Sequence, residues 1–235
     1  MEFLTKLGMA FEHGGFWMWP ILGFQLASVV IIIERSIALF AKRKTDQMSL
    51  VGSYEDNVRR GEIEAVMHKA ELVKTSSPVA RAIAAGATAA RSFGGKEEIQ
   101  GKMDEVLLHE NALLDKRVPF LAMLGNVATL TGLLGTITGM IRSFAAVANA
   151  NPAEKASMLA AGIAEAMNCT AFGLIVAIPA LLAFAILQNR ANVLAEDMNQ
   201  AALKAFNWLA YSYDPIANKA QAGKMGRTQV PEINA

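Results

Sequence analysis

Glu165 stands alone as a charge in a long apolar stretch. Between Ala156 and Asn189 the chain reads ASMLAAGIAEAMNCTAFGLIVAIPALLAFAILQN, and Glu165 is its only charged side chain. One ionisable group at the centre of a membrane helix costs roughly 2.5–3.5 kcal/mol on insertion scales, so such residues face protein or water and mark ion or proton pathways. The competing use is structural: a bundle-interior carboxylate hydrogen-bonded to a neighbouring helix. Upstream, Thr129, Gly132, Thr136, Gly139 and Ser143 follow one another at steps of three, four, three and four residues. That spacing collects small and hydroxylic side chains on one helix face. Small residues let helix backbones approach closely in lipid, and Gly135 and Gly139 fit that role. Hydroxyls on the same face can instead hold water along a cavity, and for Thr136 both uses stay open. If the two helices turn at Asn149-Ala150-Asn151-Pro152, Thr136 and Glu165 lie equally far from the turn, roughly 20 Å at about 1.5 Å per residue. A hydroxyl and a carboxylate would then share one depth, as a hydrated proton or ion path requires.

Soluble-enzyme chemistry finds little support. Gly94-Gly95-Lys96 lacks the spacing of a phosphate-binding loop and reads as a helix break. His13, His68 and His109 are scattered, with no second histidine or cysteine three or four residues away, and read as solvated surface groups; no metal or cofactor is expected. No nucleophile–base arrangement can be assembled. The single cysteine, Cys169, cannot close an internal disulfide and reads as a small buried hydrophobe.

The elements that must carry these residues follow from hydropathy. The chain has 235 residues, 53% hydrophobic and 18% charged, with mean hydropathy +0.30, a mix that fits a few spanning helices joined to a water-exposed portion. The net charge of +1 gives no argument for a nucleic-acid partner. A bilayer crossing takes about 20 mostly apolar residues, and three segments qualify: 16–40, 119–142 and 158–188. Trp17 and Trp19 open the first as an interfacial belt, and Glu34-Arg35 near its far end can reach the headgroups. Basic residues follow this apolar core instead of preceding it, which excludes a signal peptide.

Thirteen lysines and arginines lie between the first and second spans, against Lys155 alone in the 143–157 connection and Lys6 alone before the first span. Positive-inside counting therefore puts 41–118 and the C-terminus in the cytoplasm. Segment 1–15 and the 143–157 loop fall on the opposite side. Residues 41–118 read as helical, with breaks at Ser76-Ser77-Pro78 and Gly94-Gly95. From Lys96 on, Ile99, Met103, Val106, Leu107, Leu113 and Leu114 recur at helical spacing with no strong breaker before Pro119, so this helix is expected to run into the second span. Residues 189–212 extend the third span through a stripe of Val193, Leu194, Met198, Leu203, Phe206 and Leu209. The tail 213–235 has little apolar content and is expected to be disordered. The fold class is all-α, three transmembrane helices extended by long cytoplasmic helices.

Two stretches resemble a known family. GLLGTITGMIRSF (Gly132 to Phe144) and GIAEAMNCTAFGLIVAIPALL (Gly162 to Leu182) are similar to the GL-x-GTV-x-G and GIAEAL-x-x-TA-x-GL-x-x-AIPA motifs of the MotA/TolQ/ExbB proton-channel subunits. The three-span plan resembles the TolQ/ExbB branch. The resemblance implies a homopentameric stator of the bacterial inner membrane around an ExbD/TolR-type single-span partner. Protons crossing it would drive a TonB/TolA-type transducer. It places the family's pore acid on Glu165, its two pore threonines on Thr136 and Thr170, and its third-span proline on Pro179. Thr129 departs from the pattern, since many relatives carry a proline there. On an ideal helix Glu165 and Thr170 point about 140° apart, so both cannot face one narrow lumen and Thr170 is expected to contact a neighbouring helix. Two rival classes are a non-conducting oligomeric scaffold and a proton-coupled transporter, the latter disfavoured by three spans and no visible repeat.

Overall fold

The computed structural model describes residues 15–41, 47–60, 62–74, 77–92, 95–148 and 150–213. The expectations for 1–14 and 214–235 lie outside these residues. All regular structure among the described residues is helical: α1 Met18–Ser36 with a π-helical turn Ile37–Ala41, α2 Gln47–Gly52, α3 Glu55–Arg59, α4 Ile63–Val73, α5 Pro78–Arg91, α6 Lys96–Asp115, α7 Val118–Ala148 and α8 Lys155–Tyr213. Three of these stretches are long and apolar enough to cross a membrane. The chain divides into two compact units, Met1–Lys42 with Asp115–Arg190, and Arg43–Leu114 with Ala191–Ala235.

The first unit holds α1, α7 and the first part of α8, and its packing is inverted relative to a water-soluble bundle. Leu130, Ile141, Phe144, Leu182 and Ile186 point outward. The α7–α8 seam is built from Gly132, Gly135, Ala166, Cys169 and Gly173. In hydrocarbon, apolar side chains gain nothing by hiding from the solvent, so close backbone contact is left to the small residues. A Cβ at Gly132 would stand 2.8 Å from the Cys169 carbonyl oxygen, and one at Gly173 would stand 2.9 Å from that of Ala128. Neither helix tolerates a side chain there without moving apart. Where α1 ends and α7 begins, the polar side chains gather. Arg117 pairs with Glu34, Gln188 donates to Asp115 at 3.0 Å, and Arg190 lies 5.6 Å from the Phe40 ring centre.

The expected run of α6 into the second span does not occur. The helix breaks at Lys116-Arg117, with Arg117 in the left-handed region at φ 65. The cause is Pro119, whose ring would collide with the Asp115 carbonyl in a continuous helix.

The second unit holds α2 to α6 and the remainder of α8. Ser77 caps α5, its hydroxyl accepting from the Ala80 amide at 3.2 Å with Pro78 at the first helical position. The alanine-rich face of α5 is buried. Gly86 allows a close approach, because a Cβ there would stand 2.7 Å from Met103 Sδ. Of the expected apolar stripes, Ile99, Met103, Leu107 and Leu114 on α6 and Met198, Phe206 and Leu209 on α8 are buried, whereas Val193 and Leu203 are exposed. The α8 core line runs through Ala191, Ala201, Ala202 and Ala205 instead, because close packing on that face selects alanine over larger apolar residues. Glu110 is 1% exposed and accepts an ion pair from Arg81 at 2.9 Å. The buried Tyr54 lies under Lys69, whose Nζ is 5.3 Å from the ring centre.

Candidate functional site

The three residues expected to share a path divide into a pair and a single. Thr136 on α7 and Thr170 on α8 are hydrogen-bonded through their hydroxyls. The Thr136 hydroxyl also reaches the carbonyl oxygens of Ala166 at 3.1 Å and Gly132 at 3.2 Å, and Thr170 donates to that of Gly132 at 3.2 Å. Two hydroxyls carry two protons, so one consistent arrangement has Thr136 donating to Ala166 and Thr170 donating to Gly132 or to Thr136. This is a clasp across the α7–α8 seam. Thr170 contacts a neighbouring helix, as its angular separation from Glu165 requires.

The remaining hydroxyls of α7 turn back on their own helix. Thr129 donates to Gly125 at 3.1 Å, Thr138 to Leu134 at 3.0 Å and Ser143 to Gly139 at 2.9 Å, the usual recourse of a hydroxyl in an apolar helix. Of the small-residue stripe, Gly132 and Gly139 press on α8, and Ser143 meets Gly162. This packing lies within one hairpin.

Glu165 is not level with Thr136. Gly139 faces Ala166 and Ser143 faces Gly162, which sets Thr136 beside Cys169 and Thr170. Glu165 lies about one helical turn nearer the connection, roughly 6 Å at 1.5 Å per residue. The equal-depth expectation failed because the connection is asymmetric. Pro152 to Glu154 form a turn closed by Glu154 and Lys155 amides on the Asn151 carbonyl, at 3.0 and 3.2 Å, before α8 begins.

Glu165 is exposed on the single chain, and its carboxylate meets the start of α1. Gly15 has φ 67, and a Cβ there would stand 3.0 Å from Glu165 Oε1. Both the backbone conformation and the contact therefore call for glycine. Glu165 lines two spaces. One is an open groove of about 620 Å³ bounded by Arg142, Ser143 and Ala146 of α7 and by Met158, Gly162 and Asn168 of α8. The other is a narrow gap of about 10 Å³ beneath Gly15, Phe16 and Trp17, which also touches Thr138, Arg142 and Cys169. A gap of that size admits about one water, while the groove admits many.

Arg142 was not singled out by sequence reasoning, although a signal was present. It is the only charged residue between Val118 and Ala148, just as Glu165 is between Ala156 and Asn189. Pro179 sits inside α8, which continues through it to Tyr213. Among the described residues, no group of three His, Cys, Asp or Glu could hold a metal ion.

An α-helical bundle that turns large apolar side chains outward and gathers hydroxyls and single charges on one hairpin defines a multi-pass membrane protein. The chain belongs to the MotA/TolQ/ExbB proton channel family, whose sequence model matches residues 74–200. It is 41% identical over 95 residues to the Tol-Pal system protein TolQ of Haemophilus influenzae, covering 40% of this chain and 41% of that protein. It is 37% identical over 98 residues to TolQ of Pseudomonas aeruginosa, 42% of each chain. An ExbB-like biopolymer transport protein of Synechocystis is 32% identical over 174 residues, 72% of this chain and 79% of its own length. The match thus spans about two fifths of the two TolQ proteins and about four fifths of the Synechocystis protein. These relatives support the TolQ/ExbB branch.

Proposed function

We propose that this protein is the proton-channel subunit of a stator in the bacterial inner membrane, oligomeric and most simply pentameric. It would surround the single transmembrane helix of an ExbD/TolR-type partner and transmit proton-motive force to a TonB/TolA-type transducer. The carrying observation is Glu165, the only charge between Ala156 and Asn189, exposed and bordering a groove wide enough for water. A purely structural glutamate would be enclosed and hydrogen-bonded, because an unsatisfied polar group in hydrocarbon costs several kcal/mol. One proton moving down the potential yields about 2.3 kcal/mol per 100 mV. Glu165 would take up a proton from the groove and hand it on, with no bond other than O–H made or broken. Thr136 and Thr170 would border the path as a fixed hydroxyl pair and hold α7 to α8 while the charge passes.

The orientation follows from the basic residues: the N-terminus and the 143–157 loop in the periplasm, residues 41–118 and the C-terminus in the cytoplasm. The test is Glu165→Gln in vesicles carrying the full-length chain with its co-purifying partner. The amide preserves size and hydrogen bonding but cannot titrate, so proton uptake should collapse while the complex remains intact in mild detergent. Normal flux through an intact Glu165→Gln complex would exclude the pathway role and favour a non-conducting scaffold.

A further inference from the structure

Arg142 of α7 and Glu165 of α8 carry opposite charges and border the same two spaces. We propose that Arg142 is a specificity-determining residue of the path, a fixed cation that keeps alkali metal ions away from Glu165 and leaves the carboxylate to protons. This rests on the proposed proton-channel function and assigns a role to a residue outside the acid and the threonine pair.

Three observations carry it. First, Arg142 is the one charged residue of α7, set at the end of the span where the chain otherwise has few basic residues, and it borders the same groove as Glu165. Second, it is not consumed by a structural ion pair. The ion pairs of the described residues join Lys74–Glu71, Arg81–Glu110, Lys102–Glu105 and Arg117–Glu34, so neither Arg142 nor Glu165 is neutralised by direct contact. Third, the groove is poor in ligands for a dehydrated metal cation. Besides Glu165 its side chains offer two oxygens, that of the Asn168 amide and that of the Ser143 hydroxyl.

A sodium ion approaching Glu165 would have to exchange its water shell for these few oxygens beside a guanidinium that never deprotonates. Hard cations need several oxygen ligands at once. A proton has no such requirement, since it moves along hydrogen-bonded water and ends as an O–H bond on the carboxylate. Arginine barriers that discriminate by charge are an established device in membrane pores. Among the described residues, Gly15, Phe16 and Trp17 line the α1 side of the site and carry no charge, and α8 adds the titratable Cys169.

The experiment uses vesicles bearing the full-length chain and its co-purifying partner, with a pH dye or a Na⁺ dye trapped inside and a potassium diffusion potential as the drive. Wild type should pass protons, show no Na⁺ entry, and keep its proton flux when external NaCl replaces choline chloride. Arg142→Gln should become Na⁺-sensitive, its proton flux falling at least about twofold in NaCl as Na⁺ occupies the carboxylate. Arg142→Lys should restore indifference to Na⁺, which a purely steric role would not predict. Should Arg142→Gln fail to assemble, Arg142→Met supplies the same test, because it removes the charge, keeps a long side chain and adds no oxygen ligand to the groove. An assembled Arg142→Gln complex with no proton flux, or with a flux that Na⁺ leaves unchanged, overturns the role given to Arg142 alone. A wild-type complex that conducts nothing overturns the channel reading and this inference with it.

Discussion

Thr136 and Thr170 share two protons among two carbonyls and each other, which makes them measurable. Thr136→Val removes the bonds that Thr136 makes across the seam, to Ala166 and Thr170, keeps the volume, and leaves Thr170 on the Gly132 carbonyl. Interhelical hydrogen bonds in membrane proteins average about 0.6 kcal/mol and reach about 1.7. The variant should lower unfolding free energy in detergent by roughly that amount and reduce proton flux less than Glu165→Gln does. An unchanged stability would mean that the clasp is absent in the bilayer. A second test concerns Tyr54, whose buried hydroxyl finds no hydrogen-bond partner and whose ionisation burial pushes upward. The folded chain therefore holds this proton more tightly than the unfolded chain does. Its contribution is intact below pH about 10 and lost as the pH climbs beyond it. Tyr54→Phe should be neutral or stabilise by about 1 kcal/mol, and should flatten the stability loss above pH 10 seen by circular dichroism. At this scale the sequence revealed which residues were costly and not which met. Glu165 announced itself by its charge, whereas its separation from the threonine pair depended on a turn of three residues in the α7–α8 connection.

The elements were legible wherever periodicity or a breaker spoke. Ser77-Pro78 opens α5 as a cap followed by a first-position proline should, and the three apolar helices stand where composition put them. The α6–α7 boundary was misjudged because Pro119 is compatible with the first turn of a helix. Only the left-handed Arg117 shows that a new helix starts there. That conformation can be tested directly. Arg117→Gly and Arg117→Ala both abolish the pair with Glu34, yet only alanine keeps the Cβ that the left-handed region penalises. The glycine variant should be more stable than the alanine variant by about 1–2 kcal/mol, and equal stabilities would refute the strained turn. The seam makes a similar demand. A Cβ at Gly139 would stand 2.9 Å from that of Ala166, so Gly139→Leu should part α7 from α8 within each protomer. Loss of thermal stability should therefore precede any change in subunit number on native mass spectrometry.

For the whole molecule, the charge asymmetry is the most far-reaching sequence signal and the simplest to challenge. A cysteine at Ala153 should react with an impermeant thiol reagent applied outside the inner membrane, and one at Glu97 should not. The reverse pattern would invert the molecule and with it the side from which protons reach Glu165. Subunit number leaves no signature in the chain, because outward apolar residues such as Leu130 and Ile141 would serve lipid and a second copy equally well. Native mass spectrometry of the parent protein should give a pentamer, and a monomer in several mild detergents would end the stator proposal.

The single thiol of the chain has one more use. Cys169 is 3% exposed, with its sulfur 3.0 Å from where a Gly135 side chain would begin. It is silent while the α7–α8 seam and the start of α1 stay closed over it, and reachable when that packing opens. The unaltered protein thus carries an internal clock for breathing of its own hairpin. The modification rate by a small permeant maleimide counts the fraction of time the seam stands open. Comparing energised with de-energised membranes would tell whether proton passage loosens the wall of the channel or leaves it still.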